Sequence, residues 1–311
     1  MSIAANPSAR GPGHLPSSGR RRWLIAAEPY AYIAPGIAII ALVMLVPLAV
    51  GISFSFQNHV IFRPAERGWV GVENYMRLWS DRVFWLSLSN TMRWTLWSVA
   101  LQFLLGLGLA LLLNRPFPGR WLYQGLVFLP WAVPTFLSGL NWQWLFNPTI
   151  SPLPGWLAAL GILDAPRNIL SDPQLALYGP ITAMVWWGVP FFAITLLAAL
   201  RSIPDDIYEA AAIDGARPLQ IFWFITLPFL MPMILITILL RTVWVANSPD
   251  LIFVMTGGGP ANMSQILPNY VFTTAYRAGN FGYASALASV LMMLLVFYAI
   301  LLLWVRARVE R

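Results

Sequence analysis

Six stretches without a charged residue alternate with short polar segments along this chain, and the alternation predicts its architecture. The uncharged runs cover residues 29–62, 94–114, 121–163, 173–200, 218–240 and 278–305. A helix crossing the ~30 Å hydrocarbon layer needs about 20 largely apolar residues, so each run holds one span. The expected helices lie near residues 31–54, 92–113, 122–146, 176–200, 225–247 and 284–305. The third run has length for two, but Asn147-Pro148, Pro152, Pro154 and Gly155 interrupt its second half, where the chain is expected to leave the membrane. Residues 1–28, rich in Pro, Gly, Ser and Ala, read as a disordered tail and not as a cleaved signal peptide. Residues 63–89 read as an external loop. The fold class expected is an all-α polytopic membrane protein with six transmembrane helices.

Composition narrows the chemistry. Only 10% of the 311 residues are charged, against roughly a quarter in soluble domains. All 19 basic residues are arginine. A Walker-type loop needs a lysine on the nucleotide phosphates, so the chain cannot hydrolyse ATP by that route, and lysine Schiff-base chemistry is excluded with it. Cysteine is absent, which removes disulfides, thiolate nucleophiles and Cys-based metal sites. His14 and His59 fall outside the expected spans, so a buried histidine metal cluster is excluded too. The net charge of +7 does not signal nucleic acid, because the arginines flank apolar spans and orient them. With the N-terminus inside, eleven arginines fall on the cytoplasmic side (Arg10 to Arg22, Arg115, Arg120, Arg201, Arg217, Arg306 to Arg311) and six outside. Both termini are expected in the cytoplasm.

The segment between the fourth and fifth spans, residues 201–218, is a short capped helix. Ser202 and Asp205 have capping-box spacing, and Pro204 suits a first turn. Asp205 and Asp206 lie where the helix dipole favours negative charge. Gly215 is placed to end the helix and Pro218 to open the next. Ala210-Ala211-Ala212 lacks bulk, leaving Glu209 as the exposed charge. On caps and periodicity alone this is equally an ordinary interfacial loop helix.

A resemblance changes the weighting. Glu209-Ala-Ala-Ala-Ile-Asp214-Gly215-Ala216, followed by Gln220, Phe222, Ile225-Thr-Leu-Pro228 and Pro232, resembles the EAA signature of ABC-importer membrane subunits. Further matches carry it over nearly the whole chain. They are Tyr32-Ile-Ala-Pro35, Asn90-Thr91, Phe128-Leu-Pro130, Trp142 with Trp144-Leu-Phe146, Thr256-Gly-Gly-Gly-Pro260 and Phe281 to Ala286. They resemble the first permease subunit of binding-protein-dependent carbohydrate systems of the maltose and glycerol-phosphate type. Ser151-Pro-Leu-Pro154 departs from that pattern.

The resemblance implies the type I ABC importer transmembrane fold, over residues 90–305, with a coupling helix at 202–215 that inserts into a cleft of a separate ATPase. Glu209 would make the polar contact, Ala210, Ala211 and Ala216 would allow close docking, and Asp214-Gly215 would form the turn. The partners implied are a second permease subunit, an ATP-binding cassette dimer that holds the ATP and Mg, and an external substrate-binding protein. The chain itself is expected to be non-catalytic and without a cofactor. Its cargo would be a sugar, polyol or glycoside, anionic ones included.

Arg241 is the one clear intramembrane charge, about sixteen residues into the fifth span and roughly 23 Å from its cytoplasmic start. Such a residue faces the bundle interior by default. Arg241, Trp244 and Asn247 are expected to line the path, with arginine donating to hydroxyl or anionic groups and tryptophan stacking on a sugar face. The alternatives are that Arg241 pairs with a partner subunit or snorkels to the outer surface. Most of the 16 tryptophans lie at span ends and fit an interfacial belt, while Trp142, Trp144, Trp186 and Trp187 lie deeper. The competing class is a stand-alone secondary transporter or channel. No span holds an Asp, Glu or His away from its ends, which disfavours proton coupling.

Overall fold

The computed structural model describes Tyr30 and residues 32–309. The tail over residues 1–28 lies outside the described residues, as do Glu310 and Arg311. The chain forms two compact units, Met1–Ser53 and Phe54–Arg311. In the first unit, helix α1 (Tyr32–Phe54) is apolar along its length and carries a π-turn at Ala41–Leu45.

The second unit opens with a small hairpin of β1 (Gln57–Asn58) and β2 (Gly68–Trp69), paired antiparallel, and a short helix α2 (Glu73–Ser80). The stretch expected to be an external loop is therefore structured. The reason is Asp81, whose carboxylate accepts from the Val83 and Phe84 amides at 2.8 and 3.3 Å and so starts α3 (Arg82–Asn114) ten residues before the helix start expected at residue 92. Leu78, Phe84, Leu267, Tyr283 and Leu287 close a small core around this end.

Along α3 the buried positions Ser87, Asn90, Thr91, Trp94, Ser98, Gln102, Gly106 and Ala110 recur every three or four residues, making one stripe of small and polar residues. Membrane helices pack closely through such stripes. The stripe meets α7 (Tyr178–Leu200), where a Cβ on Gly106 would overlap Phe192 and come within 3.0 Å of the Ala193 amide. The main core, with Trp94, Phe146, Met184, Phe192, Leu196 and Leu230, lies around this contact.

The third expected span is not one helix. It is divided into α4 (Arg120–Ala132) and α5 (Thr135–Leu145) by Val133-Pro134. A residue before proline is driven out of the helical region, and Val133 is extended at φ −80°, ψ 127°. Its carbonyl accepts from Trp187 Nε1 at 2.8 Å. Among the described residues, five helices are long and apolar enough to cross a membrane, by length and composition. The α4–α5 pair lies where the third span was expected. The loop after it contains α6 (Leu153–Ala159), beginning within Ser151-Pro-Leu-Pro154.

Helix α8 (Asp205–Ile213) precedes a continuous helical run from Pro218 to Ala246, made of α9 (Pro218–Ile221), a π-turn (Phe222–Thr226) and α10 (Leu227–Ala246). Residues 247–249 break the helix before α11 (Asp250–Met255). The chain reverses at Gly257 and Gly258, with φ of 60° and 92°, then enters α12 (Leu267–Phe272) and the last helix α13 (Phe281–Val309). The Asn90 amide donates to the carbonyls of Met263 at 2.9 Å and Gln265 at 3.1 Å, and Thr91 Oγ1 accepts from the Leu267 amide at 2.8 Å. Through these bonds Asn90-Thr91 holds the reversing loop onto α3.

Candidate functional site

Helix α8 starts differently from its sequence expectation and ends as expected. Pro204 occupies the N-cap, without a side-chain cap, and the Ser202 hydroxyl donates backward to the Ala199 carbonyl at 2.8 Å. The Ser202–Asp205 capping box therefore does not form, because Pro204 occupies the N-cap and Ser202 lies two residues too early. Asp205 and Asp206 do occupy the first turn. At the other end the Ala216 amide donates to the Ala211 carbonyl at 3.0 Å and the Gly215 amide to Ala212 at 3.1 Å. Gly215 has φ 77°. This is a Schellman stop, which requires the left-handed conformation that glycine adopts without strain. The Arg217 amide then donates to Gln220 Oε1 at 2.8 Å, capping α9.

The two faces of α8 have different surroundings. Ile203, Ile207 and Tyr208 pack on the main core, the Tyr208 hydroxyl lies 3.3 Å from Thr226 Oγ1, and Ala211 is buried. The opposite face presents Asp206, Glu209, Ala210 and Ile213 to the outside, with Asp214 and Gly215 at its end. Ile213 is 86% exposed, and Leu219, Trp223 and Phe224 extend the exposed apolar surface beyond it. Of the alanines expected to permit docking, Ala210 faces outward, Ala216 is half-buried, and Ala211 instead lets α8 lie close to the body of the bundle.

Arg241 is buried, at 1% exposure, which disposes of snorkelling. Its Nε donates to Gln102 Oε1 of α3 at 2.6 Å, while Gln102 Nε2 donates to the Met184 carbonyl of α7 at 2.8 Å. The guanidinium lies 5.0 Å from the Trp187 ring centroid and 5.8 Å from that of Phe191, within reach of cation–π attraction. A Cβ on Gly188 would overlap both the guanidinium and the Gln102 amide, so that glycine makes room for the cluster. Among the described residues Arg241 has no carboxylate partner.

A cavity of about 480 Å³ opens beside it, lined by Trp131, Thr135, Trp187, Arg241, Trp244 and Asp250 among others. Trp244 is half-exposed there and packs against Phe191 with centroids 5.5 Å apart. Asn247 is elsewhere: it donates to its own helix at Val243 and lines a separate apolar groove with Phe272, Tyr276 and Leu295. The structure thus brings Arg241 and Trp244 together and puts Asn247 on another face. Gln102, Gly188 and Trp131 complete the cluster without having been expected. Gln102 had left a trace, as the one amide in the uncharged run 94–114 besides Asn114 at its end.

At the outer end Asp81 accepts from the hydroxyls of Tyr270 at 2.7 Å and Tyr283 at 2.5 Å. Burial raises its pKa, but these bonds and those from the Phe84 and Val83 amides outweigh burial and hold the carboxyl below its ordinary range. Among the described residues no group of three His, Asp or Glu gathers as a metal site.

Residues 102–311 match the family described as the binding-protein-dependent transport system inner membrane component. The trehalose/maltose transport system permease protein MalF of Thermococcus litoralis is 36% identical over 274 residues, 88% of this chain and 92% of that protein. The sulfoquinovosyl glycerol transport system permease protein SmoG of Agrobacterium fabrum is 32% identical, covering 88% and 89%. Among solved structures, a bacterial alginate ABC transporter in complex with alginate pentasaccharide-bound periplasmic protein contains a chain of similar fold. Its TM-score is 0.71 at 22% identity, over 93% of each chain.

Proposed function

The chain belongs to the binding-protein-dependent inner membrane components of ABC importers, and on that premise we propose that it forms half of a translocation pore for a sugar, polyol or glycoside, driven by a separate ATPase. The observation that carries this reading is the exposed face of α8, Glu209, Ala210 and Ile213, ended by the Gly215 stop. That face has the shape of a short plug: a charge and an apolar tip on a helix tied to the bundle through Tyr208 and Thr226. A chain with no lysine cannot supply a Walker loop, so ATP and Mg would be held by the partner ATPase. The chain brings one coupling helix, and a symmetric ATPase dimer therefore calls for a second permease subunit. An external binding protein would deliver the cargo, and both termini would lie in the cytoplasm.

In this reading α4 and α5 together make the sixth crossing. Arg241 and Trp244 line the path, Trp244 by stacking on a ring face and Arg241 by donating to hydroxyl or anionic groups. Asn247 lines it only where the separate groove joins the pore. The names of two relatives, one for trehalose and maltose and one for sulfoquinovosyl glycerol, span neutral and anionic cargo. The test is Glu209→Lys: uptake and copurification of the ATPase should be lost while the chain still inserts in the membrane. Normal uptake by that variant removes α8 from the coupling role.

A further inference from the structure

A second polar cavity, of about 490 Å³, lies at the outer end of α5, away from Arg241. Its lining includes Gln143, Trp144, Asn147, Asn168, Ser171 and Thr256. Three side-chain amides therefore converge beside one aromatic ring in an otherwise apolar protein. Trp144 is 62% exposed there, so its ring is open to a ligand.

The hydrogen bonds of these amides divide into occupied and open positions. Asn147 Oδ1 accepts from the Thr149 amide at 2.9 Å and Asn168 Oδ1 from the Leu170 amide at 3.0 Å. Each asparagine thus spends its oxygen on its own turn and leaves its NH2 group without a protein acceptor among the described residues. Gln143 does the reverse: Nε2 reaches the Met255 carbonyl at 3.5 Å, leaving Oε1 as an acceptor. Ser171 adds a hydroxyl. No charged residue lines the cavity, and Arg167, beside Asn168, is neutralised by Asp172 at 2.9 Å. Open donors, an open acceptor, a ring face and no net charge match a hydroxyl-bearing ring and match an ion poorly.

The position fits an entry station. Helix α5 carries Thr135 at the Arg241 cavity and Gln143 at the outer one, and it packs closely on α11, where a Cβ on Gly139 would come within 3.2–3.3 Å of Val254 and Leu251. Thr135 and Gln143 are eight residues apart, roughly 12 Å of helix, so the two cavities lie toward opposite ends of one helix–helix seam. We propose that this outer cavity is a saccharide-binding site, in which Trp144 stacks on a pyranose face and Asn147, Asn168 and Gln143 read its hydroxyls. This rests on the importer reading and assigns that pore an outer station.

The test uses the whole transporter in lipid nanodiscs without its external binding protein, with maltose and trehalose as probes and saturation-transfer NMR as the readout. Trp144 is exposed, so Trp144→Ala leaves the fold in place. Asn168→Asp keeps the turn to Leu170 and removes the NH2 donor. Wild type should show transfer to ring protons, Trp144→Ala should abolish it, and Asn168→Asp should weaken binding about three- to tenfold, the loss of one hydrogen bond. The proposal is overturned if neither sugar gives a signal, or if Trp244→Ala removes the signal while Trp144→Ala leaves it. It is equally overturned if the outer variants alter only binding-protein stimulation of the ATPase, which would make this a protein-docking surface. Copurification of the ATPase, read on the same sample, reports on the importer reading separately.

Discussion

Replacing Gln102 by leucine tests whether the Arg241 cluster secures the three helices it joins. The substitution keeps most of the side-chain volume but removes the 2.6 Å acceptor of Arg241 Nε and the 2.8 Å donor to Met184. Arg241 is 1% exposed, so water does not replace the lost acceptor readily. A hydrogen bond to a charged group contributes about 1.5–3 kcal/mol and a neutral one about 0.5–1.5, so Gln102→Leu should cost roughly 2–4 kcal/mol. Adding Arg241→Leu removes the charge that lost its partner, and apolar replacement of both members of a buried polar pair is close to neutral. The double variant should therefore recover at least half of the loss. The assay is reversible unfolding of the purified chain in mixed micelles, with both single variants and the double variant forming a cycle. A cost below about 0.5 kcal/mol for Gln102→Leu, or a double variant worse than the sum of the singles, would refute the reasoning. Uptake gives an independent readout: the double variant should assemble and transport nothing, and normal transport would confine Arg241 to packing.

Asp81 should confer an acid sensitivity on the outer end of α3. Its folded pKa is lowered, so the stability it contributes is present above the ordinary carboxylate pKa near ~4 and is lost as pH falls through the lower folded value. Amide exchange at Val83 and Phe84, corrected for intrinsic rates, should rise in that window, and Asp81→Asn should flatten the response; a flat wild-type profile counts against the cap. Gly215→Ala forces an L-residue into φ 77° at about 1–2 kcal/mol. It should loosen the Schellman stop and reduce the ATPase retained on copurification, with asparagine restoring part of it. Full retention with alanine would show that the end of α8 does not bear on docking.

The legible parts of the fold were those that a single element determines. Charge gaps located the spans because lipid excludes charge everywhere along a helix, and Gly215 marked the end of α8 because its stop depends on one backbone angle. The early start of α3 was hidden: Asp81 caps it, but Tyr270 and Tyr283, which make that cap secure, come from the far end of the chain. The break at Val133-Pro134 was visible as a dipeptide and was masked by the apolar run around it. At the candidate path, the face itself was misjudged. At 100° per residue Trp244 lies 60° from Arg241 around the helix, and Asn247 lies 120° away, enough to put it in the other groove. Gln102 and Gly188 were illegible as partners because Arg241 meets them only when α3, α7 and α10 pack.

The same helix serves both ends of the proposed mechanism. From Pro218, next to the α8 stop, the run is helical to Ala246, and Arg241 lies 23 residues along it, roughly 35 Å from its start. A docked α8 would push on this helix at Thr226, through Tyr208, and through the Gln220 cap. The intervening π-turn at Phe222–Thr226 is where the helical ladder is widest, so a twist applied from α8 is most easily taken up or passed on there. Above it, Arg241 is bonded to α3 and enclosed by α7. A rotation of α10 large enough to reach the cavity must therefore either carry α3 with it or break the Arg241–Gln102 bond. In the proposed mechanism the buried cation would link docking at α8 to the path, whether or not it touches the cargo. The Gln102→Leu variant separates the two roles, because it removes the Arg241–Gln102 tie between α10 and α3, leaving only the bond from Trp94 Nε1 to the Val245 carbonyl at 2.9 Å among the hydrogen bonds described between them, and keeps the guanidinium at the cavity wall.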